Sequence, residues 1–180
     1  MTKQPRVDLD ARYGSPGVAP TTWPEAWRRF EEAQIYWVVT VRRAGGPHVT
    51  PLFGAVVEGA LYFFTGPDEQ KARNLAANPR CALMTGCNVI DGLDVVVEGE
   101  AVRVRDEATL RRVADAVAAK YADGAGLGDD WRFGVRDGAF AGPEGNEVYV
   151  FELVPSRGYA FGKGKTFSHT RFRFEPLTRR

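Results

Sequence analysis

The sequence predicts a mainly β fold, a closed or nearly closed antiparallel barrel with flanking helices. Short runs rich in β-branched and aromatic residues recur along the chain, among them 35–42, 60–65 and 147–154, a composition that suits a pleated, half-buried surface. Turn-forming residues such as Gly45-Gly46, Glu58-Gly59 and Gly66-Pro67 separate them at short spacing. Helical periodicity is confined to a few segments, so the helices decorate a β core. A chain of 180 residues supports one domain with its own core. Its 44% hydrophobic and 26% charged residues exclude a disordered, collagenous or coiled-coil protein.

Residues 1–22 contain Pro5, Gly14, Pro16, Gly17 and Pro20 without sustained apolar periodicity. They predict an irregular arm, leaving 23–180 as a single barrel domain. Thr22 ahead of Trp23, Pro24 and Glu25 carries the signature of a helix start, with a capping hydroxyl, an early proline and a glutamate three residues on. That helix is expected to reach about Ala33. Residues 35–42, 48–57 and 60–65 predict three strands in a meander. Gly66-Pro67 ends the meander, and Asp68 predicts the cap of a helix reaching Asn78, where Pro79 stops it.

Strands are expected again at 80–85 and 93–105, with Gly99 predicting a bulge in the second. Asp106 caps the clearest helix, whose Leu110, Val113, Ala114, Val117, Ala118 and Tyr121 form one apolar stripe. The glycine-rich segment 123–146, with Trp131 and Phe133, predicts a long lid-like loop. Strands at 147–154, 157–161 and 168–174 close the pattern. In the last, His169, Arg171 and Arg173 share one face and Thr170, Phe172 and Phe174 the other.

The 24 Lys+Arg against 23 Asp+Glu leave a net charge of +1, so no bulk basic field holds nucleic acid or an anionic membrane. No stretch approaches the roughly 20 apolar residues of a membrane span, and the N-terminal residues lack a signal-like apolar region. Two cysteines, Cys81 and Cys87, suggest neither a disulfide scaffold nor a zinc knuckle and fit a reducing cytoplasm. The two histidines, His48 and His169, lie in strand patterns away from any metal-ligand spacing. No GxGxxG, Walker loop or HExxH motif occurs. No catalytic side chain and no metal site is therefore expected.

The most informative stretch is YFFTGPDEQKARNLAANP, residues 62–79. A strand ending in Thr65 turns into a helix carrying Gln70, Lys71, Arg73 and Asn74, a geometry that suits an anion. The alternative is that Lys71 and Arg73 are solvated surface charges. A proline within HVTPLFG, residues 48–54, predicts an interrupted strand able to present free carbonyls to a flat ring.

The series from YWVVTVRR to NPRCAL, the VVVEGEAVRV strand and the closing HTRFRF together resemble the pyridoxamine-phosphate-oxidase-like split barrels, particularly their flavin/deazaflavin oxidoreductase branch. The resemblance covers Trp23 to Phe174. It implies a six-stranded antiparallel split β-barrel of the FMN-binding type, a homodimer, and a flavin-type cofactor in a groove between the subunits. On the matching positions it implies that Phe64, Thr65, Gln70, Lys71, Arg73 and Asn74 meet the cofactor's phosphate-bearing tail. Thr50, Pro51, Leu52 and Phe53 would line its ring. The second strand lacks the Arg and Lys that pyridoxamine-phosphate oxidases proper place there, and Phe167-Ser168-His169 lacks their terminal arginine. KARNLAANPR and TRFRF look more like the members that use coenzyme F-420, a deazaflavin.

The resulting expectation is an oxidoreductase passing a hydride from coenzyme F-420 to a small unsaturated or heterocyclic substrate. FMN dependence, or non-catalytic binding of a flavin, deazaflavin or heme, stands as the alternative. Arg171, with Lys163, Lys165 and Arg173, is expected to converge with Lys71 and Arg73 on an oligoglutamate tail, which makes deazaflavin affinity steeply salt-dependent.

Overall fold

The structure, a computed structural model, describes residues 4–175. Six strands run round a barrel in the order β3-β2-β6-β7-β10-β5: β2 Tyr36–Val41, β3 Pro47–Leu52, β5 Ala60–Thr65, β6 Arg80–Thr85, β7 Gly92–Arg103 and β10 Glu147–Lys163. Every ladder is antiparallel. The ring closes where β3 and β5 come together without a ladder between them, so the barrel is split along that seam. Five further strands bring the total to eleven among the described residues. β4 (Gly54–Val57) pairs with β5 and β11 (Ser168–Arg173) with β10. β1 (Arg6–Leu9) adds to β11, and the hairpin of β8 (Gly134–Arg136) and β9 (Ala139–Ala141) joins β10.

Several expectations change at this level. The expected strand 48–57 breaks at Phe53, because its first half pairs with β2 while its second half crosses to β5. Gly54 makes that crossing possible: a Cβ there would sit 2.4 Å from the Tyr62 carbonyl oxygen. The three strands therefore form no simple meander. The strands expected at 147–154 and 157–161 are one 17-residue strand with an irregularity between Pro155 and Arg157. Gly99, on the facing strand, is the site of close approach rather than of the bulge, since a Cβ there would lie 2.1 Å from the Val154 oxygen. Arg6–Leu9 is ordered as an edge strand, not an irregular arm.

Three helices complete the fold. α1 (Trp23–Glu32) starts as its sequence demands, with the Thr22 hydroxyl accepting from the Glu25 N–H. α2 (Gln70–Ala77) begins one residue later than an Asp68 cap would place it, with Glu69 at the N-cap. α3 (Glu107–Val117) is capped by Asp106 and buries Leu110, Val113, Ala114 and Val117. It continues as a π-helical turn over 118–124, which keeps Tyr121 buried. The expected long loop 123–146 instead carries the end of this turn, a 3-10 turn over Asp129–Trp131 and the β8–β9 hairpin.

Two apolar clusters result. The barrel interior holds Phe30, Tyr36, Val38, Leu61, Phe63, Leu83, Val95, Val97 and Phe172. The second lies under α3 around Tyr121, Phe140 and Val150, with half-buried Phe53, Phe64, Trp131 and Phe133 packed on it. Among the described residues no helix is long and apolar enough to cross a membrane.

Candidate cofactor-binding cleft

The seam between β3 and β5 is overlaid by the start of α2. Thr65 ends β5, the Gly66-Pro67 turn follows, and Glu69 folds back from the N-cap. Its Oε1 accepts hydrogen bonds from the Thr65 hydroxyl and the Gly66 N–H, both at 2.8 Å. Its Oε2 is ion-paired with Lys71. A hydroxyl, a backbone N–H and an ammonium thus converge on one carboxylate. Burial pushes the Glu69 carboxyl up, but the bonds from Lys71, Gly66 and Thr65 outweigh it and hold the group below its ordinary value.

Lys71 is only 8% exposed. Its helix lies across the barrel mouth with Ala72 and Leu75 buried. For Lys71 the solvated-face alternative is thereby removed, since an ammonium this buried requires a partner, whereas exposed Arg73 keeps it. Asn74, also buried, donates to the Thr40 hydroxyl at 2.9 Å and accepts from Gln70 at 2.8 Å. The Thr40 oxygen lies 3.4 Å from His48 Nδ1, which ties α2 to β2 and β3. Burial, with help from Arg42 and Lys71, lowers the His48 pKa.

β3 is an edge strand, paired only with β2. Pro47 and Pro51 are tolerated there because an edge leaves ladder N–H positions unused. The Thr50 hydroxyl is buried with no hydrogen-bond partner. Buried hydroxyls are rarely left so, and the gap marks a place for a polar ligand atom. An oxyanion-binding trio at α2, beside an open strand edge with an unused hydroxyl, fits a planar heterocycle that carries a phosphate.

The other expected residues separate. Leu52 is buried in the barrel, and Pro51 is exposed on its outer face. Phe53 packs on Tyr121 and Trp131, and Phe64 on Phe133 and Phe140, so both rings belong to the cluster under α3. Arg73 is exposed on α2. Arg171 bonds Asp10 at 3.3 Å on the far edge of the sheet. Arg173 pairs with Asp8 at 3.8 Å, and Lys163 with Asp94 at 2.7 Å. Within one chain the expected convergence of Lys163, Arg171 and Arg173 with Lys71 therefore does not occur, because carboxylates nearer to each hold them elsewhere.

Glu69, Thr40 and Lys120 are the residues that sequence reasoning passed over. Glu69 is two positions from Lys71, a spacing that helical periodicity does not bring together. Lys120 sits in the π-helical turn, donating to the Tyr36 hydroxyl at 2.8 Å and the Gly54 carbonyl at 3.1 Å. Tyr121 also donates to the Gly54 carbonyl, at 2.8 Å, so both clamp the corner where β3 becomes β4. Among the described residues no carboxylate pairs with Lys120, and burial lowers its pKa to about 8.

A separate concavity, a groove of about 960 Å³, lies over the outer faces of β2, β6, β7 and β10. Val39, Val41, Ala82, Val102 and Val154 line it, with Arg80, Glu98 and Glu100 among them. Trp37, 46% exposed, extends the same face.

Comparison with known proteins places this geometry among relatives. A conserved hypothetical protein from Mycobacterium tuberculosis matches with a TM-score of 0.63 at 21% identity, over 82% of this chain and 88% of that one. A heme binding protein from Mycobacterium smegmatis matches at 0.59 and 22% identity, over 84% of this chain and 58% of the other. The heme storage protein of Vibrio cholerae matches at 0.56 and 20% identity, over 79% of this chain and 94% of that one. These likenesses show the fold alone. No curated protein sequence matches the chain. The family model described as pyridoxamine 5'-phosphate oxidase matches residues 23–159. The barrel, its split seam and that match make this chain a member of the pyridoxamine 5'-phosphate oxidase family.

Proposed function

We propose that this chain is an oxidoreductase that holds coenzyme F-420 at the β3–β5 seam and serves hydride transfer to a small unsaturated or heterocyclic molecule. The carrying observation is the charge content of the cleft: one buried lysine, ion-paired with Glu69, and no cation on β3. That set matches a singly charged phosphodiester better than the dianion of FMN. When bound, the deazaflavin supplies the hydride chemistry, and no strong acid or base is asked of the protein. Thr65, the Gly66 N–H and Lys71 hold the phosphate, and Gln70 and Asn74 fix α2 against β2. Thr50 and the free edge of β3 offer polar contacts to the ring. Lys120 and Tyr121 brace the strand corner behind it.

FMN is the second reading, favoured because Lys163, Arg171 and Arg173 are engaged by carboxylates instead of being free for a glutamate tail. A homodimer is part of the proposal, supported by the apolar groove and Trp37 on the outer barrel face. Free Cys81 and Cys87 support a reducing, cytoplasmic setting. Absorbance and fluorescence titration of the ligand-free protein with coenzyme F-420, FMN and heme tests the reading. Tighter binding of the deazaflavin, and oxidation of its separately supplied reduced form in the presence of acceptors, are expected. Tighter FMN binding promotes the second reading, and exclusive heme binding removes both.

A further inference from the structure

The donors that the proposed cofactor reading gives to a phosphate are already gripped by a carboxylate of the chain itself. Thr65 and Gly66 both donate to Glu69 Oε1, and Lys71 pairs with Glu69 Oε2. A phosphate in contact with the same three groups and Glu69 in its present place exclude each other. The two partners differ in freedom. The Glu69 side chain is 50% exposed, whereas that of Lys71 is 10% exposed. Glu69 stands at the N-cap without capping its helix through its side chain. Rotation about its side-chain bonds therefore carries the carboxylate to water without breaking a backbone bond of α2. Lys71 has no such exit.

We propose that Glu69 is a built-in competitor for the anion site: it occupies the Thr65–Gly66–Lys71 donors in the ligand-free protein and is displaced when a phosphate group enters. The proposal rests on the reading that this cleft takes a phosphate-bearing cofactor. Its physical logic is that an ammonium as buried as Lys71 is costly to leave uncompensated. Glu69 keeps Lys71 compensated before loading, and the incoming phosphate takes over. Because Glu69 is tethered, it competes at high effective concentration. Occupation of the donors by Glu69 lowers the affinity of every anion that needs them by the same factor, so only a ligand that binds them strongly is retained.

Glu69→Gln keeps an amide oxygen for the Thr65 and Gly66 donors but removes the charge facing Lys71, and Glu69→Ala removes both. Inorganic phosphate binding is followed by NMR titration, and FMN and riboflavin binding by fluorescence, for the wild-type protein and both variants. Since the carboxylate is half exposed, the expected gain for phosphate and FMN is about three- to tenfold in Glu69→Gln. Riboflavin, which lacks the phosphate, is expected to bind all three proteins alike. Phosphate affinity unchanged or weakened in both variants overturns the proposal and makes Glu69 a permanent partner that positions Lys71. If no flavin or deazaflavin binds while phosphate still binds the Gln variant more tightly, the competitor stands and the cofactor reading falls. Circular dichroism confirms folding, and the Ala variant decides if the Gln variant does not fold.

Discussion

Replacing Lys120 by methionine tests whether an unpaired ammonium is a standing cost to this fold. Burial lowers its pKa from 10.5 to about 8. At roughly 1.4 kcal/mol per unit, holding the charge in the folded state costs at most about 3 kcal/mol. The sign follows from proton counting. Below pH 8 lysine is charged in both states and the whole cost is present. Between about pH 8 and 10.5 the unfolded chain keeps a proton that the folded chain has released, so stability rises with pH.

Tyr36 and Tyr121 work in the opposite direction, because burial raises both, Tyr121 to about 12. Unfolded tyrosines ionise near pH 10, so their destabilising effect sets in above that. The buried Cys81 thiol, raised to about 12, also opposes the rise once unfolded thiols ionise above about pH 8.5, and it does so equally in wild type and variant. Lys120 should contribute about 2 kcal/mol of rising stability between about pH 7.5 and 9.5, read in urea unfolding as the steeper upward pH slope of the wild-type protein relative to Lys120→Met. The comparison uses the pH slope, since the variant also loses the bonds to Tyr36 and Gly54 at every pH. An equal rise in both proteins would refute the assignment.

Lys71→Ala should weaken binding of a phosphate-bearing cofactor by about 1.5–3 kcal/mol, the range for a bond to a charged group. Isothermal titration checks it, and unchanged affinity returns Lys71 to a structural role. Deazaflavin affinity should change less than about threefold between low and physiological salt, since Lys71 is buried and buried pairs are weakly screened. A steep salt slope in the same titration would show that further cations reach the tail. Gly99→Ala should lower stability by about 1–3 kcal/mol, because its Cβ meets the Val154 carbonyl at 2.1 Å; a wild-type melting temperature contradicts that contact. Light scattering should give twice the 19.9 kDa chain mass. Trp37→Glu should shift the population toward monomer, and a wild-type monomer at micromolar concentration ends the dimer proposal.

Local signals in the sequence determined much of the fold. The Thr22 and Asp106 caps, the apolar stripe of α3 and the alternation of β11 all appear where short-range rules place them, because each depends on residues within one or two turns. The importance of the segment after Thr65 was legible for the same reason: a strand end, a glycine turn and a helix carrying Lys71 are adjacent in the chain. Only the tertiary structure decided what surrounds that lysine. Helix α2 is amphipathic whether Lys71 faces water or the barrel mouth, and docking across the seam chose the second. The family resemblance implies Phe53 at the cofactor's ring and Phe64 at its phosphate-bearing tail, whereas the fold packs both side chains into the cluster under α3. Arg171 lies on the alternating face that its sequence predicted, but Asp10, 161 residues away, holds it at the opposite edge. Partners this distant leave no periodic trace, because pairing across a sheet depends on strand order, which local preference does not encode.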